Sequence, residues 1–158
     1  IKNFILENEV INGSIILKVD EIKNNKLIDD LYMLLNLNFG KISFEKTKFK
    51  VKKIGNLSII SNSFQLDDDR LTFTGNFNLD VKNEKDFYKK FMIPKKNRFP
   101  IKNVGIISTY SFATNKFYID KIIFNKDKNN IIDLQYEEIN NWAKFKKLIQ
   151  SSTVFYSG

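Results

Sequence analysis

Apolar and polar residues alternate between residues 57 and 81. From Leu71 to Val81 every second residue is apolar or glycine, and the residues between them are threonine, asparagine or aspartate. Because a β-strand turns successive side chains to opposite faces, this pattern predicts a strand with one apolar and one polar face. The stretch Leu57–Leu66 precedes it, and the linker Asp67-Asp68-Asp69-Arg70 favours a tight reversal. We therefore predict an antiparallel hairpin.

The period of the pattern changes after this hairpin. Asn83 suits the N-cap of a helix, because its side chain can accept a hydrogen bond from the first turn. Phe87 and Phe91 are spaced i, i+4 and would lie on one helix face. Pro94 cannot continue a helix, because it lacks the backbone N–H. These residues predict one short helix near residues 84–93.

An Asn-Gly pair near the start of the chain predicts another hairpin. Asn12-Gly13 separates the apolar runs 4–11 and 14–22, and Asn-Gly is a strong signal for a two-residue turn. Ile15, Leu17 and Val19 would then form the buried face of the second strand. Asn24-Asn25 predicts a break after it.

The stretch that follows fits two kinds of element. Residues 27–35 match one helical face, but the alternation from Leu31 to Phe39 favours a strand from about residue 30. Gly40 predicts a bulge, after which strand patterns continue from residue 42 to residue 51.

Two strands and a helix are predicted in the last third of the chain. The apolar face of the first strand consists of Val104, Ile106, Tyr110 and Phe112. A turn at 114–116 leads into a return strand at 117–124, and residues 127–130 form a polar break. From residue 136 to residue 151 apolar groups recur at helical spacing, which predicts an amphipathic helix that ends near Ser151.

These elements predict a mainly β fold with peripheral helices, of the α+β class. We expect one domain with a curved antiparallel meander sheet or groove, because sequential strands usually pair. Residues 1–55 would hold the N-terminal strands, 57–135 two strand pairs separated by the short helix, and 136–151 the C-terminal helix. The chain has 158 residues, enough to bury a core, and it begins at Ile1. The absence of an initial methionine indicates a segment of a longer protein.

The composition argues against catalysis and against nucleic-acid binding. Cysteine and histidine are absent, so the commonest general base and the usual soft metal ligands are missing. We expect no enzyme, no cofactor and no metal; the run Asp67–Asp69 lacks the spacing of a calcium loop. The formal charge is +8, but lysine, asparagine, isoleucine and phenylalanine share A/T-rich codons, and Arg70 and Arg98 are the only arginines. We therefore expect no nucleic-acid partner.

Several stretches between residues 57 and 158 share the pattern of a known family. They are Leu71–Val81 with Asp86–Lys96, Tyr110–Phe112 with Phe117–Phe124, and Ile139–Ile149 with Phe155–Gly158. These stretches resemble the C-terminal region of AsmA-like bacterial envelope proteins, including the C-terminus of alphaproteobacterial members. The resemblance consists of apolar and small residues and contains no invariant catalytic motif.

The resemblance implies a role in phospholipid transfer and outer-membrane homeostasis. In this family, which is similar to the bridge-like lipid-transfer proteins, strands curl into a groove with an apolar inner face. The resemblance also implies a periplasmic location in the bacterial cell envelope, with an inner-membrane anchor in a part of the chain that is not present here. The implied partners are phospholipid acyl chains, bacterial membranes and other envelope proteins.

The alternating apolar face and the basic loop around Pro94 provide candidate residues for two parts of such a groove. The residues expected to contact acyl chains are Leu71, Phe73, Phe77, Leu79, Val81, Val104, Ile106, Tyr110, Phe112, Phe117 and Ile119. The residues expected near lipid headgroups are Lys89, Lys90, Lys95, Lys96 and Arg98.

The amino-acid pattern leaves alternatives open for each feature. The apolar face can be the closed core of an ordinary sheet, which would make the chain a non-catalytic structural or partner-binding envelope domain. The terminal helix with Trp142 and Phe145 can lie on a membrane or pack on its own sheet. The basic residues around Pro94 can contact headgroups or form a solvated loop. A groove open to solvent would favour lipid binding over the closed core.

Overall fold

A computed structural model of the chain describes residues 10–23, 27–67, 70–126 and 131–157. These residues form an open antiparallel sheet in the order β1-β2-β4-β5-β6-β7-β8-β9, with β3 paired to β2. The strands are β1 (Asn12–Val19), β2 (Ile28–Asn38), β3 (Lys41–Ser43), β4 (Lys48–Val51), β5 (Gly55–Asp67), β6 (Arg70–Val81), β7 (Asn103–Ser111), β8 (Lys116–Phe124) and β9 (Ile131–Ile139). The described helices are α1 (Glu84–Lys90) and α2 (Trp142–Ser157), with a 3₁₀ turn at Lys95–Asn97. The predicted mainly β class is confirmed, as are the antiparallel meander and the short and C-terminal helices.

The central hairpin agrees with its prediction. Strands β5 and β6 pair from Gly55 opposite Val81 to Asp67 opposite Arg70, and β6 then pairs with β7 along its length. The predicted turn residues 68 and 69 lie outside the described residues, as do the predicted strand residues 4–9 and the breaks at 24–25 and 127–130.

Two bulges keep apolar side chains on one face where the alternation in the sequence breaks. In β5, Ile59 pairs with Phe77 and Ser61 with Asn76, so Ile60 is the extra residue. In β8 the pairing with β7 skips Asp120 in the same way. Because a bulge shifts the parity of a strand by one, apolar residues on both sides of it face the same direction.

The predicted turn at Asn12-Gly13 was wrong. Asn12-Gly13 is part of β1, opposite Asn38 and Leu37, and β1 pairs with β2. The two-residue turn is instead Phe39-Gly40 between β2 and β3, where φ is +46° and +75°, as a tight hairpin requires. Gly40 is therefore a turn residue and not a bulge. Strand β2 was predicted correctly, but it begins at Ile28, two residues before the predicted start near residue 30.

The apolar residues of β1 are exposed, contrary to the predicted buried face. Ile15 is 58% exposed and Leu17 46% exposed, whereas Val19 is partly buried. The physical reason is the position of β1 at the outer edge of the described sheet, where neither α1 nor α2 reaches it.

The C-terminal helix begins later and ends later than predicted. Residues 136–139 belong to β9, in which Ile139 pairs with Phe117 of β8. Asn141 then caps α2, since its Oδ1 accepts a hydrogen bond from the Lys144 N–H at 2.8 Å. Helix α2 continues past Ser151 to Ser157.

The core lies between both helices and one end of the sheet. Asn83 caps α1 as predicted, accepting from the Asp86 N–H at 3.2 Å. The fully buried Phe87 packs on Phe91, and the Phe91 ring contacts Phe145 of α2 with 5.9 Å between centroids. We call the side of the sheet that carries the helices the helix face and the opposite side the outer face.

Candidate ligand-binding site on the helix face

The predicted acyl-chain residues lie on the helix face but in two different environments. On β6 and β7 the register places Leu79 opposite Val104, Phe77 opposite Ile106 and Phe73 opposite Tyr110. The members that are sealed in the core are Leu79, Val81, Val104 and Ile119. The members that are partly or largely exposed are Leu71, Phe73, Phe77, Ile106, Tyr110, Phe112 and Phe117.

A cavity of about 480 Å³ lies where α2 begins above the sheet. Its floor contains Phe77 and Ile106 from β6 and β7, and its sides include Trp142 and Phe145 from α2. The remaining lining residues are Leu57, Ser108, Phe117, Ile119, Ile139, Asn140 and Asn141. The lining is therefore almost wholly apolar, and it draws on β5, β6, β7, β8, β9 and α2.

A smaller cavity of about 100 Å³ continues beneath the helices. It shares Leu57, Ile106, Trp142 and Phe145 with the larger cavity and also contacts the core residue Phe87. The two spaces therefore lie side by side between α2 and the sheet.

Aromatic rings cover the other end of the helix face. The aromatic cluster consists of Phe44, Phe64, Phe73, Tyr110 and Phe112. The Phe64 and Phe73 rings are 5.0 Å apart between centroids, and the Tyr110 and Phe112 rings are 4.8 Å apart in an edge-to-face arrangement. Phe112 remains 47% exposed. This cluster contributes an apolar surface outside the buried core.

A row of small or polar residues separates the aromatic cluster from the covered end. Gly75 lies opposite Asn62 on one side and Ser108 on the other. A methyl group at Gly75 would lie 2.5 Å from the Phe77 ring and 3.0 Å from the Phe73 ring, so both rings lean over the glycine. The Phe73 and Phe77 rings therefore occupy the space above Gly75, and a larger side chain at this position would displace them.

The predicted headgroup residues lie along α1 and the 3₁₀ turn. Lys89, Lys95, Lys96 and Arg98 are exposed, and Lys90 is partly buried. The Lys90 Nζ lies 5.8 Å from the Trp142 ring centroid, and Trp142 lines the larger cavity. This interaction connects the basic segment to the cavity wall.

Arg98 has structural partners of its own. Its Nε donates to the Ile93 carbonyl at 3.1 Å, and its guanidinium lies 5.0 Å from the ring of Tyr88. Burial raises the pKa of the Tyr88 phenol, whose hydroxyl donates to the Phe99 carbonyl. These contacts hold the segment 93–99 against α1.

The outer face carries polar groups and one perturbed carboxylate. The Thr109 hydroxyl donates to Asp120 Oδ2 at 2.8 Å, while Asp120 Oδ1 is buried without a hydrogen-bond partner. Burial raises the pKa of Asp120, although the Thr109 hydrogen bond acts in the opposite direction. Asp120 is the extra residue of the β8 bulge, so this polar group is separated from the cavity by the sheet.

The sequence pattern did not identify several residues of the site. Phe44, Phe64 and Ser108 were not predicted to contribute, and Trp142 and Phe145 were predicted only as part of an amphipathic helix. Phe64 follows the β5 bulge and is out of phase with Leu57, so only the phase shift in the sequence could have revealed it. Ser108 is a polar residue on the otherwise apolar face of β7, and this interruption is the sequence signal that could have identified it.

The described residues contain no group of three acidic side chains arranged to hold a metal ion. Within the same residues, neither helix has the length and hydrophobicity needed to cross a membrane. Comparison of the chain with protein-family models, curated proteins and solved structures finds no match.

Proposed function

We propose that the helix face binds the hydrocarbon chain of a phospholipid, and that the chain is the non-catalytic C-terminal segment of an AsmA-like envelope protein. In this proposal the segment takes part in phospholipid transfer and outer-membrane homeostasis in the periplasm. The observation that carries the proposal is the apolar cavity of about 480 Å³ beside the aromatic cluster. Its volume lies in the range of small-molecule sites, roughly 300–1,000 Å³.

The apolar lining suits a hydrocarbon chain that must also be released. Each buried CH₂ group contributes about 0.8 kcal/mol, so a few methylenes in the cavity supply modest affinity without any strong polar contact. Phe77, Ile106 and Phe117 come from three consecutive strands and all line the cavity. A chain that leaves the cavity toward the aromatic cluster would cross the short row of Gly75 and Ser108 and then contact Phe73 and Tyr110.

The basic segment supports contact with phospholipid headgroups. Lys89, Lys95 and Lys96 are exposed on the same segment as Lys90, whose Nζ lies near the Trp142 ring at the cavity wall. Lysine side chains can lie along an apolar surface and extend their ammonium groups to phosphate. In this proposal the segment 89–98 faces the polar end of the lipid.

One observation favours a second candidate function, a structural or partner-binding envelope domain. Strand β1 is at the edge of the described sheet, and Ile15, Ile16 and Leu17 are each about half exposed. An outer strand with apolar side chains can pair with a strand of another protein. This alternative does not require a lipid.

A search for phospholipid bound to the purified chain tests the proposal. The chain would be expressed in bacteria, purified without detergent and examined by native mass spectrometry for bound phospholipid. We expect bound phospholipid in the wild-type chain, and its loss in Phe73→Glu and Phe112→Glu, because a carboxylate on the aromatic cluster makes the path polar. The matched control is Thr72→Glu, next to Phe73 but on the outer face, which should keep the lipid.

Thermal unfolding separates loss of binding from loss of the fold. Phe112 is 47% exposed, so Phe112→Glu should unfold within a few degrees of the wild-type chain while binding less lipid. If the wild-type chain carries no phospholipid and both glutamate variants unfold, the aromatic cluster is structural and the partner-binding alternative is favoured.

A further inference from the structure

One buried hydroxyl in the larger cavity has no hydrogen-bond partner. Ser108 lines the cavity and is 0% exposed, and its Oγ makes no hydrogen bond with any described residue. Buried polar atoms in folded proteins almost always have a partner, because leaving one unpaired is costly. An unpaired hydroxyl in the wall of a ligand-sized cavity is therefore a candidate donor to a ligand, which reaches it when neighbouring side chains move, because the Oγ has no accessible surface.

The sheet around Ser108 explains why its hydroxyl stays unpaired. The residue opposite it on β6 is Gly75, which has no side chain, and the residue opposite it on β8 is Ile119, which is apolar. Ile106 and Tyr110 lie two residues before and two residues after Ser108, on the same face of β7. The Tyr110 hydroxyl donates to Asn115 and so has a partner elsewhere.

The other polar residues of the cavity, Asn140 and Asn141, are exposed, and their side-chain oxygens already accept hydrogen bonds. Asn141 Oδ1 caps α2 by accepting from the Lys144 N–H, and Asn141 Nδ2 donates to Asn140 Oδ1 at 2.9 Å. The described lining contains no charged side chain. A carboxylate or phosphate placed in the cavity would therefore lose its hydration and find no counter-charge, which is strongly unfavourable. An uncharged oxygen acceptor would lose far less.

We propose that Ser108 donates a hydrogen bond to an uncharged oxygen acceptor, such as an ester carbonyl, of an acyl-chain ligand held in this cavity. The inference rests on the proposed function and specifies the ligand as an acyl ester. It places the ester group beside Ser108, with the hydrocarbon extending along Phe117 toward the aromatic cluster. The charged headgroup then lies outside the cavity.

Displacement of a fluorescent hydrophobic probe tests this contact. The purified full chain is loaded with N-phenylnaphthylamine and titrated with dodecane, methyl dodecanoate and dodecanoate. The variant Ser108→Ala removes the hydroxyl and adds no bulk. The matched control is Ser111→Ala, on the same strand but on the outer face.

The expected result is a loss that depends on the ligand. Ser108→Ala should lower the affinity for methyl dodecanoate about three- to tenfold, which is the factor that one neutral hydrogen bond contributes. The affinity for dodecane should not change. Ser111→Ala should alter neither ligand. Dodecanoate should displace the probe less well than the methyl ester, because its charge is unpaired in the cavity. The melting temperature of Ser108→Ala should equal or exceed that of the wild-type chain, since the hydroxyl makes no bond in the free protein.

Three outcomes would overturn the inference, and they differ in what they imply for lipid binding. Equal weakening of dodecane and the ester by Ser108→Ala would show that Ser108 only shapes the cavity, and the proposed function would stand. Tighter binding of dodecanoate than of the ester, lost in Ser108→Ala, would assign the hydroxyl to a carboxylate. If none of the ligands displaces the probe, both this inference and the proposed function are contradicted.

Discussion

The helix face of the sheet has a covered end and an uncovered end, and similar residues behave differently at each. Leu79 and Val104 at the covered end are 7% and 1% exposed, whereas Phe73 and Tyr110, on the same two strands, lie partly exposed in the aromatic cluster. The alternating pattern along β6 and β7 continues through both ends. Whether an apolar residue becomes core or surface thus depends on the covering layer supplied by α1 and α2.

The largest expected effect contrasts one phenylalanine from each end. Phe87→Ala removes a fully buried ring that packs on Tyr88 and Phe91, and should lower the free energy of unfolding by about 3–5 kcal/mol. Phe112→Ala, from the 47% exposed ring, should cost about 1 kcal/mol. Urea unfolding followed by circular dichroism measures both. Equal costs would mean that the two ends are equally buried in solution.

A moderate effect is expected at the cap of α1, the helix that carries Phe87 over the sheet. Asn83→Ala removes the acceptor for the Asp86 N–H and should cost about 1 kcal/mol of unfolding free energy. Asn83→Ser keeps an acceptor and should lose much less, which makes it the matched control. If the two variants unfold alike in urea, the cap does not stabilise the covered end.

The smallest effect is expected for Asp120, which lies on the outer face of the sheet and therefore belongs to neither end of the helix face. Because burial raises the pKa of Asp120, the folded state binds its proton more tightly than the unfolded state does. The stabilising contribution of this group is complete below the ordinary value of 3.8 and is lost as pH rises through the raised pKa. Asp120→Asn should therefore gain stability relative to the wild-type chain as pH rises across that window.

Thermal melts of both chains from acid to neutral pH measure this difference. Thr109→Val removes the hydroxyl that favours the carboxylate, so it should move the pKa of Asp120 further upward. A stability difference that is constant with pH would contradict the raised pKa.

The sequence predicted local elements where local physics determines them. The β5–β6 hairpin follows from strict alternation, and α1 follows from Asn83, the i, i+4 phenylalanines and Pro94. Errors arose where tertiary context decided the outcome. Asn12-Gly13 is a strong turn signal, yet these residues pair with β2, and residues 136–139 have helical spacing but complete β9.

The site was less predictable than the fold, because it depends on which residues are covered. The alternation places Phe73 and Leu79 on one face but does not reveal that α1 and α2 cover only one of them. The cavity also requires residues from six elements that are distant in sequence, such as Leu57 and Phe145. Ser108 acquires meaning only when Gly75 and Ile119 are known to be its neighbours.

The bulges at Ile60 and Asp120 have a consequence for how this chain can vary. Each divides its strand into two segments with opposite parity, so a one-residue deletion there would invert the orientation of every side chain on one side of the deletion. Length changes are therefore better tolerated in loops than at these two positions. An alignment with any distant relative should maintain the offset at both places even where the residue types differ.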